Sequence, residues 1–148
     1  MTSQLNVDTI VDKAGSGGTN VKVANTSTYV SDGGNVTQNT VQGLAKFWVE
    51  MNPDNLSGTG TTGVGDSFNL TSITDDSTGN HTVNINNDMS SIEYSSPTCV
   101  NSAQTSGGIG IYGGAYSHAT GSFILHSRRN DTAVDTNFFA CTVHGDLA

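Results

Sequence analysis

From residue 43 onward, apolar and polar positions alternate in short bursts. In GLAKFWVEMN (43–52), Ala45, Phe47 and Val49 fall on one side of a strand, and Lys46, Trp48 and Glu50 on the other. Phe68 and Leu70 alternate with Asn69 and Thr71 to give a second strand with one wet face. The run DDSTGN (75–80) concentrates turn-forming residues, and HTVNI (81–85) alternates again, so 66–85 predicts a β-hairpin. Further strands are predicted within 92–100, where Pro97 interrupts the run, at 107–114, at 122–127 and at 137–144. The stretch 52–65 reads as a loop and 128–135 as a polar hairpin loop. Glycine inside 107–114 marks a bulge or the close approach of another backbone. No segment carries a convincing helical period, and no repeat has a fixed length. Short strands separated by turn signals predict an all-β fold, a sandwich or a barrel.

Residues 1–42 differ. Leu5, Val7, Thr9 and Val11 alternate with Asn6, Asp8, Ile10 and Asp12, and Val21 and Val23 flank Lys22 in another brief strand. Gly15, Ser16, Gly17 and Gly18 break the first pattern, and Asp32, Gly33, Gly34 and Asn35 predict a turn. This segment holds too few apolar residues for a core, so it reads as an extended arm or a flexible one. The expected organisation is an arm over 1–42 and a β module over 43–148.

Composition adds one constraint. Only 34% of the 148 residues are apolar and 12% charged, the balance being largely Gly, Ser, Thr and Asn. Such a chain buries a small core, and burial between subunits or disulfides can supply what is missing. The net charge is −8, with Lys13, Lys22, Lys46, Arg128 and Arg129 as the strong cations. Without a basic stripe, nucleic-acid binding is not expected. No apolar run approaches the roughly 20 residues of a membrane span, and MTSQLNVDTIVDKAG lacks the features of a secretory leader. Cys99 and Cys141 are read as free thiols, with one bridge arithmetically open.

The order of several motifs carries a resemblance. Ala45, Lys46, Trp48, Val49 and Asn52 are followed by Asp66, Ser67, Phe68, Asn69, Ser72, Ile73, Thr74 and Asp75. Thr78, Gly79, Asn80, Thr82, Val83 and Asn84 complete the set. In this order they resemble a family of small C-terminal modules in tail-fibre-like and other virion proteins of aquatic bacteriophages. The opening QLNVDTI (4–10) and the closing Ala140, Cys141, Val143, His144 and Gly145 are similar to the family's ends. The chain departs from the pattern in a longer 52–65 loop and in 88–135, where a family member carries its variable surface. The resemblance implies a virion structural role and, for many tail appendages, a trimer.

Chemistry-bearing residues are sparse. Asp75, Asp76 and Asn80 form an oxygen cluster, but without EF-hand spacing it reads as turn chemistry. His81, His118, His126 and His144 are scattered, and no GxSxG or phosphate-loop context appears. No catalytic residue, metal or cofactor is therefore expected. Trp48 has two open readings, an exposed stacking ring or buried area at a subunit contact.

Together these readings give an all-β, antiparallel, jelly-roll-like sandwich with an extended N-terminal arm, in a homotrimer. Leu5, Val7 and Ile10 are expected to anchor it to the particle. Phe47, Trp48, Val49, Phe68, Val83 and Ile85 are expected to pack the core or the subunit contact. Tyr112 and Tyr116 are the candidate recognition surface, with the 52–65 loop and the 107–117 region as its setting. The expected function is a non-enzymatic tail-fibre or spike appendage, displayed on the virion surface after assembly in the host cytoplasm. A capsid decoration protein and a stand-alone carbohydrate-binding adhesin are the alternatives. The expected partners are itself, other capsid or tail proteins and a host cell-surface glycan, with no nucleic acid and no membrane insertion.

Overall fold

The computed structural model describes residues 28–30, 37–39, 43–101 and 110–146. The chain divides into two units, Met1–Val41 and Gln42–Ala148. In the first, β1 (Thr28–Val30) and β2 (Thr37–Asn39) pair antiparallel, Tyr29 opposite Gln38. Leu5, Val7 and Ile10, and the brief strands expected at 5–11 and 21–23, lie outside the described residues.

The second unit contains β3 (Phe47–Met51), β4 (Thr59–Gly60), β5 (Val64–Phe68), β6 (Leu70–Ser77) and β7 (Asn80–Ile85). It continues through β8 (Thr98–Asn101), β9 (Ile111–Tyr116), β10 (Ser122–Arg129), β11 (Thr132–Ala133) and β12 (Phe138–Val143). One sheet has the order β5-β3-β12-β8; the other runs β10-β7-β6-β4. Strand β9 pairs along the free side of β10, and β11 continues the β7 side past His126. Every pairing is antiparallel. The two sheets pack face to face, the expected sandwich.

Alternation decides what lies between the sheets. Phe47, Val49 and Met51 of β3 and Phe139, Cys141 and Val143 of β12 point inward. They meet Ile73, Val83, Ile85, Phe123 and Leu125 from the opposite sheet, with Met89 closing one part of the layer. Phe47 and Phe123 touch edge to face across the gap, centroids 5.5 Å apart at 88°. Full burial of each such ring stabilises by about 1.5–3 kcal/mol. Four aromatic or β-branched positions of the sequence reading, Phe47, Val49, Val83 and Ile85, therefore sit in the core.

Several boundaries differ from the sequence reading, each for a local reason. Phe68 and Leu70 are not one strand. Asn69 between them takes φ 64°, and the chain steps there from the first sheet to the second. Asn tolerates this left-handed conformation better than most residues. Its amide fixes the corner: Nδ2 donates to the carbonyls of Lys46 and Asn87, and Oδ1 accepts from the Asn87 backbone and side-chain amides. Phe68 thus ends on the outer face of the first sheet, 52% exposed, and contributes nothing to the core of the single chain.

Lys46 does not share the wet side of β3 with Trp48 and Glu50. It lies before the strand and is buried, its N–H bonded to Val143 O. The hairpin turn at 75–80 shrinks to Thr78 and Gly79, because β6 runs on to Ser77. Pro97 shortens its strand to Thr98–Asn101, since a prolyl nitrogen has no hydrogen to donate to a ladder. The polar hairpin loop at 128–135 is tighter than read, because β10 runs on to Arg129 and β11 begins at Thr132. Asn130 and Asp131 take φ 48° and 64° between Arg129 and Thr132, the conformation a two-residue type I′ turn needs.

Candidate recognition face

Tyr112, Gly114 and Tyr116 occupy the outer positions of β9, while Ala115 packs inward against the core. On β10 the outer positions are Ser122, Ile124, His126 and Arg128, because Phe123, Leu125 and Ser127 are buried. Register places Tyr116 opposite Ile124, Gly114 opposite His126 and Tyr112 opposite Arg128.

Both tyrosines lean across β10 in the same direction. Tyr116 passes over His126, ring centroids 5.3 Å apart at 70°, and its hydroxyl donates to Asn80 Oδ1 on β7 at 3.3 Å. Tyr112 reaches the β10–β11 turn, where its hydroxyl donates to Asp131 Oδ1. That bond, together with desolvation and the Asp131 charge, raises the Tyr112 pKa. The rings remain 44% and 41% exposed.

Between them the two glycines do different work. Gly113 faces inward, where a Cβ would lie 2.8 Å from His126 O and 3.0 Å from the Phe139 ring. Gly114 faces outward, where a Cβ would press on the His126 ring at 3.2 Å. Because Gly114 has no side chain, the His126 ring packs over it. A depression of about 270 Å³ lies beside that ring, lined by Tyr116, His126 and Arg128. Burial and the Arg128 charge lower the His126 pKa, which favours neutral imidazole. The Arg128 guanidinium donates through Nη1 to Asp131 O at 3.3 Å.

Tyr112 and Tyr116 are thus brought onto one face. His126, Arg128, Asn80 and Asp131 join them, although the sequence reading did not assign them to a recognition surface. The alternation of SFILHS signalled His126, and continuing it by two residues signals Arg128. Asn80 and Asp131 follow only from the register of β7 and the type I′ turn.

The opposite outer face is apolar in part, with Glu50 of β3 and Asp66 of β5 as an acidic register pair beside the apolar side chains. Trp48 and Phe68 are register partners on β3 and β5. Phe138, Ala140 and Thr142 of β12 and the exposed Cys99 of β8 lie on the same side. A shallow hollow of about 250 Å³ opens beside Pro97, Cys99, Ala140 and Thr142. Cys99 stands opposite Ala140, whereas Cys141 points into the core, where burial pushes its thiol up to about 12. The two thiols therefore project to opposite sides of the sheet and are free.

A buried group near the β6–β7 turn belongs to neither face. His81 is fully buried, with Asp75 Oδ1 3.6 Å from Nδ1 and Asp135 Oδ1 3.5 Å from Nε2. Neither nitrogen makes a hydrogen bond. Desolvation lowers its pKa against the opposing pull of Asp135, Asp75 and Asp76. Asp76 is committed to Thr82 Oγ1 at 2.6 Å and Asp135 to the Gly79 N–H at 2.6 Å. These bonds make the 75–80 cluster strand and turn chemistry. Among the described residues, no group of three or more His, Cys, Asp or Glu is placed to hold a metal ion.

No protein-family model, curated protein or solved structure matches the chain.

Proposed function

We propose that the chain is a non-enzymatic bacteriophage virion structural protein, a homotrimeric surface appendage of tail-fibre or spike type. In this reading residues 1–42 attach it to another virion protein and the sandwich faces solvent. The observation that carries it is the contrast between the two outer faces. One exposes Phe68 at 52% beside Trp48 and a shallow apolar hollow, which suits burial against a second copy. The other presents tyrosines, Arg128, His126 and Asn80, a composition suited to recognition.

The resemblance to virion modules supports the same reading through structure. Its matched residues are those that build the frame: Asn69 turns the corner between sheets, Gly79 closes the hairpin, and Val49 and Val83 fill the core. Asparagine and glycine at these points serve conformation. The motif accordingly marks a scaffold, and the unmatched 88–135 stretch carries the recognition face apart from Asn80.

The test is placement together with mass. Antibody labelling of an intact particle at the tail supports the appendage. Labelling at the capsomers makes the chain a head decoration, and absence from particles overturns a virion role. Phe68→Asp places a charge in the subunit contact and is expected to reduce a trimer to monomers with an unchanged far-UV spectrum. A monomeric parent chain that binds glycan makes it a stand-alone adhesin instead.

A further inference from the structure

We infer that the furrow lined by Tyr116, His126 and Arg128 is a saccharide site, and that its ligand is a carboxylated sugar of the uronic-acid class. This deepens the recognition part of the proposed function and rests on that part alone.

Shape comes first. Tyr116 stands over the His126 ring at one side of the furrow and Arg128 lines it too. Tyr112, four positions along the strand and so roughly 13 Å from Tyr116, lies opposite Arg128. The tyrosines keep their orientation because Asp131 and Asn80 hold their hydroxyls. A fixed, half-exposed aromatic ring is an apolar plate with a polar edge. The C–H face of a pyranose is its complement, since its hydroxyls point outward around the rim. An apolar peptide side chain gains less, because the furrow is shallow and its floor is polar.

Charge sets the class of sugar. The chain carries a net charge of −8 and only five Lys and Arg. One of those five, Arg128, lines the furrow. A guanidinium has five N–H donors, and the bond from Nη1 to Asp131 O uses one. A carboxylate on the sugar ring can take two more in the paired geometry that arginine favours. His126, its pKa lowered, stays neutral near pH 7 and offers hydrogen bonding without adding charge. The selective contact is therefore Arg128 to carboxylate, the stacking contact is Tyr116 to the ring, and Tyr112 extends the platform.

The experiment is calorimetric titration of the full chain with oligogalacturonate, and with a neutral cello-oligosaccharide of the same length. The parent chain is expected to bind the uronate at least tenfold tighter than the neutral sugar. Tyr116→Ala weakens the uronate at least tenfold, while Tyr116→Phe, which keeps the ring, stays within about threefold of the parent. Arg128→Gln removes the preference for the charged sugar. Far-UV spectra and melting temperatures of all variants are recorded, so lost folding is not read as lost binding. Absence of saturable uronate binding, or binding untouched by Tyr116→Ala, overturns the site. Equal binding of neutral and acidic sugars overturns the ligand class. A monomer that binds uronate sinks the trimer and leaves the site standing; a trimer that binds none does the reverse.

Discussion

Gly79 and Gly58 share a backbone conformation and differ in their surroundings, which makes them a matched pair. Their φ values are 68° and 62°, both in the left-handed region that an L side chain disfavours. A Cβ on Gly58 meets nothing within 4 Å. A Cβ on Gly79 would lie 2.5 Å from Ser127 O, 2.7 Å from Val134 N and 3.1 Å from Val134 O. Those atoms are backbone and already engaged: Ser127 N bonds to Gly79 O at 2.9 Å, and Val134 N to Ser127 O at 3.2 Å. They cannot move aside without loosening the seam where β6–β7 meets β10–β11. Gly58→Ala is therefore expected to cost about 1 kcal/mol, the conformational penalty alone. Gly79→Ala adds an overpacking term of about 1–3 kcal/mol and totals about 2–4 kcal/mol. Urea unfolding followed by the fluorescence of Trp48, the single tryptophan, measures both. The melting temperature of Gly79→Ala should fall below that of Gly58→Ala by about 4–8 °C per kcal/mol of difference. If the two variants unfold within about 0.5 kcal/mol of each other, the tight seam around the turn is wrong.

Three further outcomes follow from the same geometry. Asn69→Ala loses the amide bonds to Lys46 O, Asn87 O and the Asn87 N–H, and puts alanine at a positive φ. Denaturant titration should register about 2–4 kcal/mol, and a loss under 1 kcal/mol would remove Asn69 as the corner. His81 has its folded pKa lowered by burial, so between its ordinary value near 6.5 and that lowered value the unfolded chain takes up a proton that the folded chain does not. Stability is then fully present above pH 7 and declines as pH falls through 6.5. His81→Leu should flatten that part of the profile relative to the parent, and an identical slope in both refutes the assignment. A thiol-reactive dye should label Cys99 at once and Cys141 only on unfolding, since burial holds the latter protonated. Two fast thiols in the native protein would contradict the inward placement of Cys141.

How far the fold was legible depended on which interaction set each boundary. Alternation in 43–52 and 81–85 gave Phe47, Val49, Val83 and Ile85 correctly, because in these strands only the sandwich interior decides the inward side. Alternation also ran through Phe68, Asn69 and Leu70, yet the chain changes sheets there. A positive φ at one asparagine leaves the hydrophobic period intact and is silent in a pattern search. Burial of Lys46 was illegible for a related reason, since it follows from where the end of β12 lies. The recognition face was half visible. Two tyrosines among glycines stand out in the sequence, whereas Arg128 reads there as the start of a hairpin loop. Only the two-residue turn at Asn130 and Asp131 keeps it on the strand beside Tyr112.

The central claim is that the apolar patch of Trp48 and Phe68 is covered by further copies of the same chain. Multi-angle light scattering on the purified full-length protein tests it most directly. The account predicts a single species of three times the 15.3 kDa chain mass, reduced to one chain mass by Phe68→Asp. A parent protein that elutes as a stable, folded species of one chain mass would contradict it.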